Sequence, residues 1–251
     1  HPSIYSYINL STIRYHMTLH KLWTKMCEKD WRTITKSVFI LHSISRDCQA
    51  DSCRKFAQAI KDMSKARNPK NPSHRYFDQR MVQEVDELSE DYEPFVTAYA
   101  AYVVARSRTF SAKFDELKEL SSSTTEKKAV ATLKKAQGLI QAALQCNLDG
   151  CSRTMFNYIT GQAIRHVALD LKDLWKLFST RLGPLVGEGQ PYDNSKPAAS
   201  EDIAALLEFY RSLETDIRTF LQNASGVFVP KRIKLPADID SKFSVRKYVN
   251  I

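Results

Sequence analysis

Ile4-Tyr-Ser-Tyr-Ile-Asn-Leu-Ser-Thr-Ile-Arg-Tyr-His-Met-Thr-Leu-His-Lys-Leu-Trp-Thr-Lys-Met26 carries apolar residues at helical spacing on two faces. At about 100° per residue, Ile8, Tyr15, Leu19, Leu22 and Met26 fall on one stripe of a helix, and Leu10, Ile13 and Met17 fall on nearly the opposite side. Two apolar stripes are what a helix needs when it is sandwiched between neighbours in a stacked array. Arg14, Lys21 and Lys25 lie between them, within about 40° of one another, and can face solvent together.

Outward from this segment the helical pattern continues. Asp30 reads as an N-cap, and Trp31, Ile34, Val38, Leu41 and Ile44 carry helical spacing to about Ser45. Asp47 is placed to cap a third helix running to about Met63. The stretch from Ser64 to His74 is polar and basic, and its two prolines and lack of periodicity predict a loop with no regular element. A short helix is expected around Gln79 to Leu88, and a longer one from Pro94 to about Phe114 with Phe95, Tyr99, Tyr102, Val103 and Phe110 inward. After the Ser121 to Thr125 linker, Val130, Leu133, Ile140, Ala143 and Leu144 mark a helix ending near Cys146, closed by Asp149-Gly150.

The longest periodic stretch runs from about Cys151 to Leu182, with Met155, Ile159, Val167, Leu171, Leu174, Leu177, Phe178 and Leu182 as its core face. Gly183 to Ala199 reads as a loop. Ser200, with Glu201 and Asp202 in the next turn, starts a helix that Leu206, Tyr210, Leu213, Ile217, Phe220 and Leu221 carry to Asn223. Periodicity is lost from Gly226 to Ile251, where Lys231-Arg232-Ile233-Lys234 reads as an extended basic arm. The expected fold is all-α: an α-solenoid, a superhelix of antiparallel helices, of either hand. With 7 glycines and 9 prolines in 251 residues, the chain lacks the turn density of a sandwich or barrel. No fixed repeat is visible, which leaves an irregular superhelix rather than a consensus array. The expected division is a helical domain over residues 1–224 and a basic extension over 225–251.

Charge is divided unevenly along the chain. Residues 1–80 hold 15 Lys and Arg against 6 Asp and Glu, whereas residues 81–251 hold 22 against 22, so the net +9 is entirely N-terminal. That asymmetry implies an anionic partner at one end, with nucleic acid and an acidic lipid surface as the two candidates, and a solvated basic face as the bland alternative. The tyrosines and phenylalanines near the basic residues fall on apolar stripes, which favours packing over base stacking and argues against nucleic acid.

Catalytic signals are missing. No G-x-S-x-G, G-x-x-x-x-G-K-[ST], H-E-x-x-H or G-x-G-x-x-G occurs, so the chain reads as no enzyme and as needing no cofactor. His16 and His20 share a helix face at metal-ligand spacing without a third ligand and read as solvent-facing, whereas His42 and His166 read as core histidines. No metal site is assigned. Asp170 and Asp173, beside Lys172 and Lys176, read as a solvated, salt-bridged face. The five cysteines, Cys27, Cys48, Cys53, Cys146 and Cys151, are odd in number and show no C-x-x-C spacing, so thiols in a reducing compartment are expected rather than disulfides or zinc. No apolar run approaches a membrane span. The start at His1, without a leader or an initiator Met, suggests that residues precede it.

Leu22-Trp23-Thr24-Lys25-Met26 followed by Asp30-Trp31-Arg32-Thr33-Ile34-Thr35-Lys36-Ser37-Val38-Phe39 resembles the ENTH and ANTH domains of endocytic clathrin adaptors, which open a helix with a W-x-x-x-x-K run as Trp31 and Lys36 do here. Leu139-Ile140-Gln141, Thr154-Met155-Phe156, Leu174-Trp175 and Phe209-Tyr210-Arg211 resemble the additional helices of ANTH, which extends the likeness to about Asn223. The resemblance implies a cytoplasmic, peripheral membrane adaptor of clathrin-coated pits and vesicles that binds phosphatidylinositol 4,5-bisphosphate. It also implies clathrin and adaptor proteins recruited through a tail outside this chain, and in some members SNARE cargo. The family's lipid motif, K-x9-K-x-[KR]-[HY], would place only its last position here, at His1, with its lysines upstream. The ENTH basic positions align with Lys25 and Lys29, while the ENTH histidine is replaced by Thr33. His1, Arg14, Lys21, Lys25 and Lys29 are the candidate headgroup-binding residues. The rival reading is a helical protein-interaction scaffold of VHS or HEAT type without lipid binding.

Overall fold

The computed structural model describes residues 12–68, 71–78, 92–121, 123–147, 158–186 and 201–227. They form helices α1 (Thr12–Met26), α2 (Trp31–Asp47), α3 (Ala50–Met63), α4 (Glu93–Thr109), α5 (Asp115–Lys118), α6 (Glu126–Leu144), α7 (Tyr158–Leu182) and α8 (Glu201–Val227), with strands β1 (Arg67–Asn68) and β2 (Asn71–Arg75) between α3 and α4. The fold is all-α apart from that small antiparallel hairpin. The chain divides into two units, the first comprising His1–Asp115 with Gln145–His166 and the second Glu116–Leu144 with Val167–Ile251.

In the first unit α1 packs on α2 and α3, and α4 packs on α2 and α3. Tyr15, Leu19, Leu22 and Met26 of α1 are buried as expected, joined by Trp23, but Met17 on the opposite side is 58% exposed. The other members of that second stripe, Leu10 and Ile13, have no described side chain. The sandwiched helix is therefore α2, which buries Trp31, Ile34, Thr35, Ser37, Val38, Leu41, His42, Ile44 and Ser45. Its hydroxyls permit this. Thr35 donates to the Trp31 carbonyl (2.7 Å), Ser37 to the Thr33 carbonyl (2.5 Å) and Ser45 to the Leu41 carbonyl (2.8 Å), so small polar side chains enter the core already hydrogen-bonded.

Long-range polar contacts then fix α2 against α4. His42 Nδ1 lies 3.0 Å from the Tyr99 hydroxyl, and the Ser45 and Ser107 hydroxyls are 2.6 Å apart. Arg106, fully buried, donates to the Ser45 carbonyl (3.0 Å) and the Ala112 carbonyl (2.6 Å), with its guanidinium 5.0 Å from the Phe114 ring centre. The start of α7 joins the same core: His166 packs on Phe39 and His42, at 4.8 and 5.3 Å between ring centres, and its carbonyl accepts from Arg46 at 3.2 Å.

In the second unit α6 packs on α8. Trp175 of α7 stacks on Tyr210 of α8 at 4.3 Å, and Phe178 meets Phe209 edge-on at 5.8 Å. Lys134 pairs with Asp202 at 2.7 Å, and Arg181 caps the end of α5 by donating to the Leu117 and Lys118 carbonyls (2.9 and 2.7 Å).

Several expectations need correction. The polar segment after α3 is not without regular structure: β1 and β2 within it pair antiparallel. Asp47 ends α2 and does not cap α3, whose N-cap is Gln49 without a side-chain hydrogen bond. The helix begun at Pro94 stops at Thr109, after which Phe110 is extended and Phe114 turns with φ 56°, so that both rings enter the core and meet at 5.5 Å. Asp170 is buried rather than solvated. Cys48 and Cys53 are joined by a disulfide, with Cα atoms 5.6 Å apart, because the short connection from α2 to α3 brings them together. Cys27 and Cys146 remain thiols as expected. The α8 helix runs on to Val227 rather than stopping at Asn223. The helix expected at Gln79 to Leu88, the Asp149-Gly150 closure and the basic arm beyond 227 lie outside the described residues.

Candidate functional site

Among the described residues, most of the basic side chains of the first 80 positions lie on the exterior of the first unit. In α1, burying Leu19, Leu22 and Met26 on one side leaves Lys21 and Lys25, one turn apart, exposed on the other. Lys29 is exposed in the turn that follows. Asp30, the one acid beside them in the turn after Glu28, is committed to capping α2. Its carboxylate accepts from the Arg32 and Thr33 amides (3.3 and 3.1 Å) and from the Thr33 hydroxyl (2.6 Å). The Thr33 hydroxyl, the largest influence, together with the two amides and the Arg32 charge, holds that carboxyl below its ordinary range against the opposing effect of burial, which is second only to the hydroxyl. Thus Thr33, at the position of the missing ENTH histidine, completes a cap.

The candidate residues are not equivalent. Lys25 donates to Glu28 at 2.5 Å, a pair with both side chains exposed, so part of its charge is already answered. Lys21 and Lys29 make no ion pair among the described residues. Arg14 lies in α1, but its side chain is not described, and His1 is outside the described residues. The two tryptophans of the sequence pattern serve packing. Trp23 lies on Phe77 at 5.2 Å; Trp31 stacks on Tyr92 at 3.7 Å with Arg32 at 5.0 Å from its ring centre. Lys36 is exposed on α2.

Sequence reasoning read the segment after α3 as basic but missed the strand pairing within it. Arg67 of β1 and Arg75 of β2 are direct cross-strand partners, both exposed. The sequence Asn-Pro-Lys-Asn between two basic ends was the available signal. Nearby, Asp62 of α3 is held by Gln58 (3.0 and 3.1 Å) and Lys65 (3.3 Å), and these bonds, with the charges of Lys65 and His16, lower its carboxyl. His20 packs its ring on Tyr76 at 5.6 Å.

Among the described residues, this surface offers ammonium and guanidinium groups and no reacting constellation. Among the described residues no three His, Cys, Asp or Glu side chains gather as a metal site. Burial pushes the Cys27 thiol up to about 12 and raises that of Cys146 as well, so neither supplies a thiolate at neutral pH. No described helix is long and apolar enough to cross a membrane. What such an array can do is attract and hydrogen-bond anions at a surface.

The family model of the ANTH domain matches residues 3–237. No curated protein and no solved structure matches the chain. That match spans nearly the whole sequence and agrees with the helical fold, so the chain belongs to the ANTH-domain family, the non-enzymatic endocytic adaptor domains that bind phosphoinositides.

Proposed function

We propose that this chain docks on phosphatidylinositol 4,5-bisphosphate in the cytoplasmic leaflet through the exposed basic groups at the end of α1 and the turn after it, and links that membrane to a clathrin coat. The observation that carries this reading is the pair of exposed lysines, Lys21 and Lys29, that no described acid answers, in the part of an ANTH chain that holds all of its surplus charge. Arg14, Lys25 and His1 belong to the same proposed site. Clustered ammonium groups meeting headgroup phosphates gain about 1 kcal/mol each near an anionic leaflet. Coat proteins would be engaged by a tail outside this chain, SNARE cargo by the later helices, and the site of action would be the coated pit.

The test is sedimentation with phosphatidylcholine vesicles with and without the bisphosphate lipid. Lys21→Glu combined with Lys29→Glu is expected to weaken binding at least about tenfold, with the circular dichroism of the helices unchanged. Undiminished binding would remove these residues from the site. A chain that pellets equally with both vesicles would favour the scaffold reading without lipid.

A further inference from the structure

We propose that the β1–β2 hairpin is a second phosphate-binding element, in which Arg67 and Arg75 hold one phosphate group of an anionic lipid headgroup between them. This deepens the membrane reading above and rests on it. Arg67 and Arg75 are direct cross-strand partners, with a shift of register immediately after them between Arg67 and Asn68. Directly opposed residues of an antiparallel pair project from the same face of the ladder with Cβ atoms about 5 Å apart, so both arginines leave the base of the hairpin on one face. Like charges so placed repel, and an unanswered pair destabilises the ladder. Neither arginine has an ion-pair partner among the described residues. Of the acids near them, Asp62 is engaged by Gln58 and Lys65, and Asp78 acts on Arg108. A phosphate group answers two guanidiniums at once, since its oxygens accept the paired N–H groups of each fork.

The hairpin is also anchored well enough to present the pair. Immediately after β2, Tyr76 packs on His20 and the fully buried Phe77 on Trp23, both on α1. Arg108 of α4 donates to the Phe77 carbonyl at 2.8 Å. Phe77 adopts φ 58°, a left-handed conformation that an aromatic residue keeps only where its surroundings hold it, and the turn it makes drives its ring into the core. His20 lies on the flank of α1 that meets the hairpin, and Lys21 lies about 100° further round. The exposed face of α1, with Met17 at its middle, is thus bordered by lysines on one side and by the arginine pair's hairpin on the other. A flat anionic surface can reach both borders, whereas a point ligand reaches one.

The experiment compares the full chain with Arg67→Gln/Arg75→Gln and with Lys21→Glu/Lys29→Glu on phosphatidylcholine vesicles with and without phosphatidylinositol 4,5-bisphosphate. The hairpin variant is expected to lose about tenfold in affinity for the bisphosphate vesicles while its thermal midpoint stays level or rises, because the like-charge repulsion is relieved. Wild-type affinity in the hairpin variant, with loss in the lysine variant, overturns the hairpin site and leaves the membrane reading standing. No lipid preference in the unaltered chain overturns both. Should the hairpin variant lose helicity, the Nε–H signals of Arg67 and Arg75 in the unaltered chain decide: they shift on adding the bisphosphate vesicles, and unmoved signals overturn the proposal. Equal shifts with soluble inositol trisphosphate but none with vesicles overturn the lipid as the source.

Discussion

The interiors of the two units are built differently. Of the ten buried polar or charged residues described, Thr35, Ser37, His42, Ser45, Asn68, Arg106, Ser107, Ser111 and Thr160 lie in the first unit and only Asp170 in the second. The first core is tied by directional bonds such as His42 to Tyr99 and Arg106 to two carbonyls, whereas the second rests on Trp175, Tyr210, Phe178 and Phe209 with aliphatic neighbours. A buried polar group is favourable only in the geometry that satisfies it, so directional bonds specify one arrangement of helices where apolar packing tolerates several. The unit that contains the chain's basic first third is the one whose helices are fixed this way.

Substitution should break that contrast most strongly at Arg106. Arg106→Met keeps much of the volume but strands two buried carbonyls, and is expected to cost about 3 kcal/mol in chemical denaturation. Trp175→Phe in the second unit changes shape without stranding a carbonyl and should cost about 1.5 kcal/mol or less. Equal losses would mean that the polar ties of the first unit contribute no more than packing.

A smaller effect sharpens the account at the basic turn. Asp30→Ala removes the cap of α2 and should cost about 1 kcal/mol near neutral pH. Because folding lowers the Asp30 carboxyl, its contribution is complete above the unfolded value of about 4 and fades as pH falls through the lower folded one. Wild type and variant should therefore draw together in stability as pH falls below about 4, and a difference that does not shrink on acidification would assign the loss to something other than the carboxylate.

Most of the helical pattern was legible because burial and period coincide: every member of the Trp31, Ile34, Val38, Leu41, Ile44 stripe is buried, and Asp30 caps as its position demands. Where they diverge, the sequence misleads. Met17 belongs to an apolar stripe of α1 yet faces out, while α2 buries Ser37 and Ser45 because neighbouring carbonyls satisfy them, a fact no hydrophobicity pattern carries. The stop at Thr109 depends on Phe110 and Phe114 finding each other in the core, which is tertiary. At the proposed site, Lys21 and Lys25 of α1 were visible from helical geometry, whereas Lys29 came only from the resemblance to ENTH. The Arg67 and Arg75 pairing was not visible, because cross-strand register is set by partners outside the local window.

Amide hydrogen exchange of the chain with and without vesicles carrying phosphatidylinositol 4,5-bisphosphate puts the contrast between the units to its most direct test. Exchange should slow in the turn over residues 27–30 and in the hairpin over 67–75, and stay unchanged in α6 and α8. Slowing centred on α8, or none anywhere, would contradict a membrane site on the basic unit.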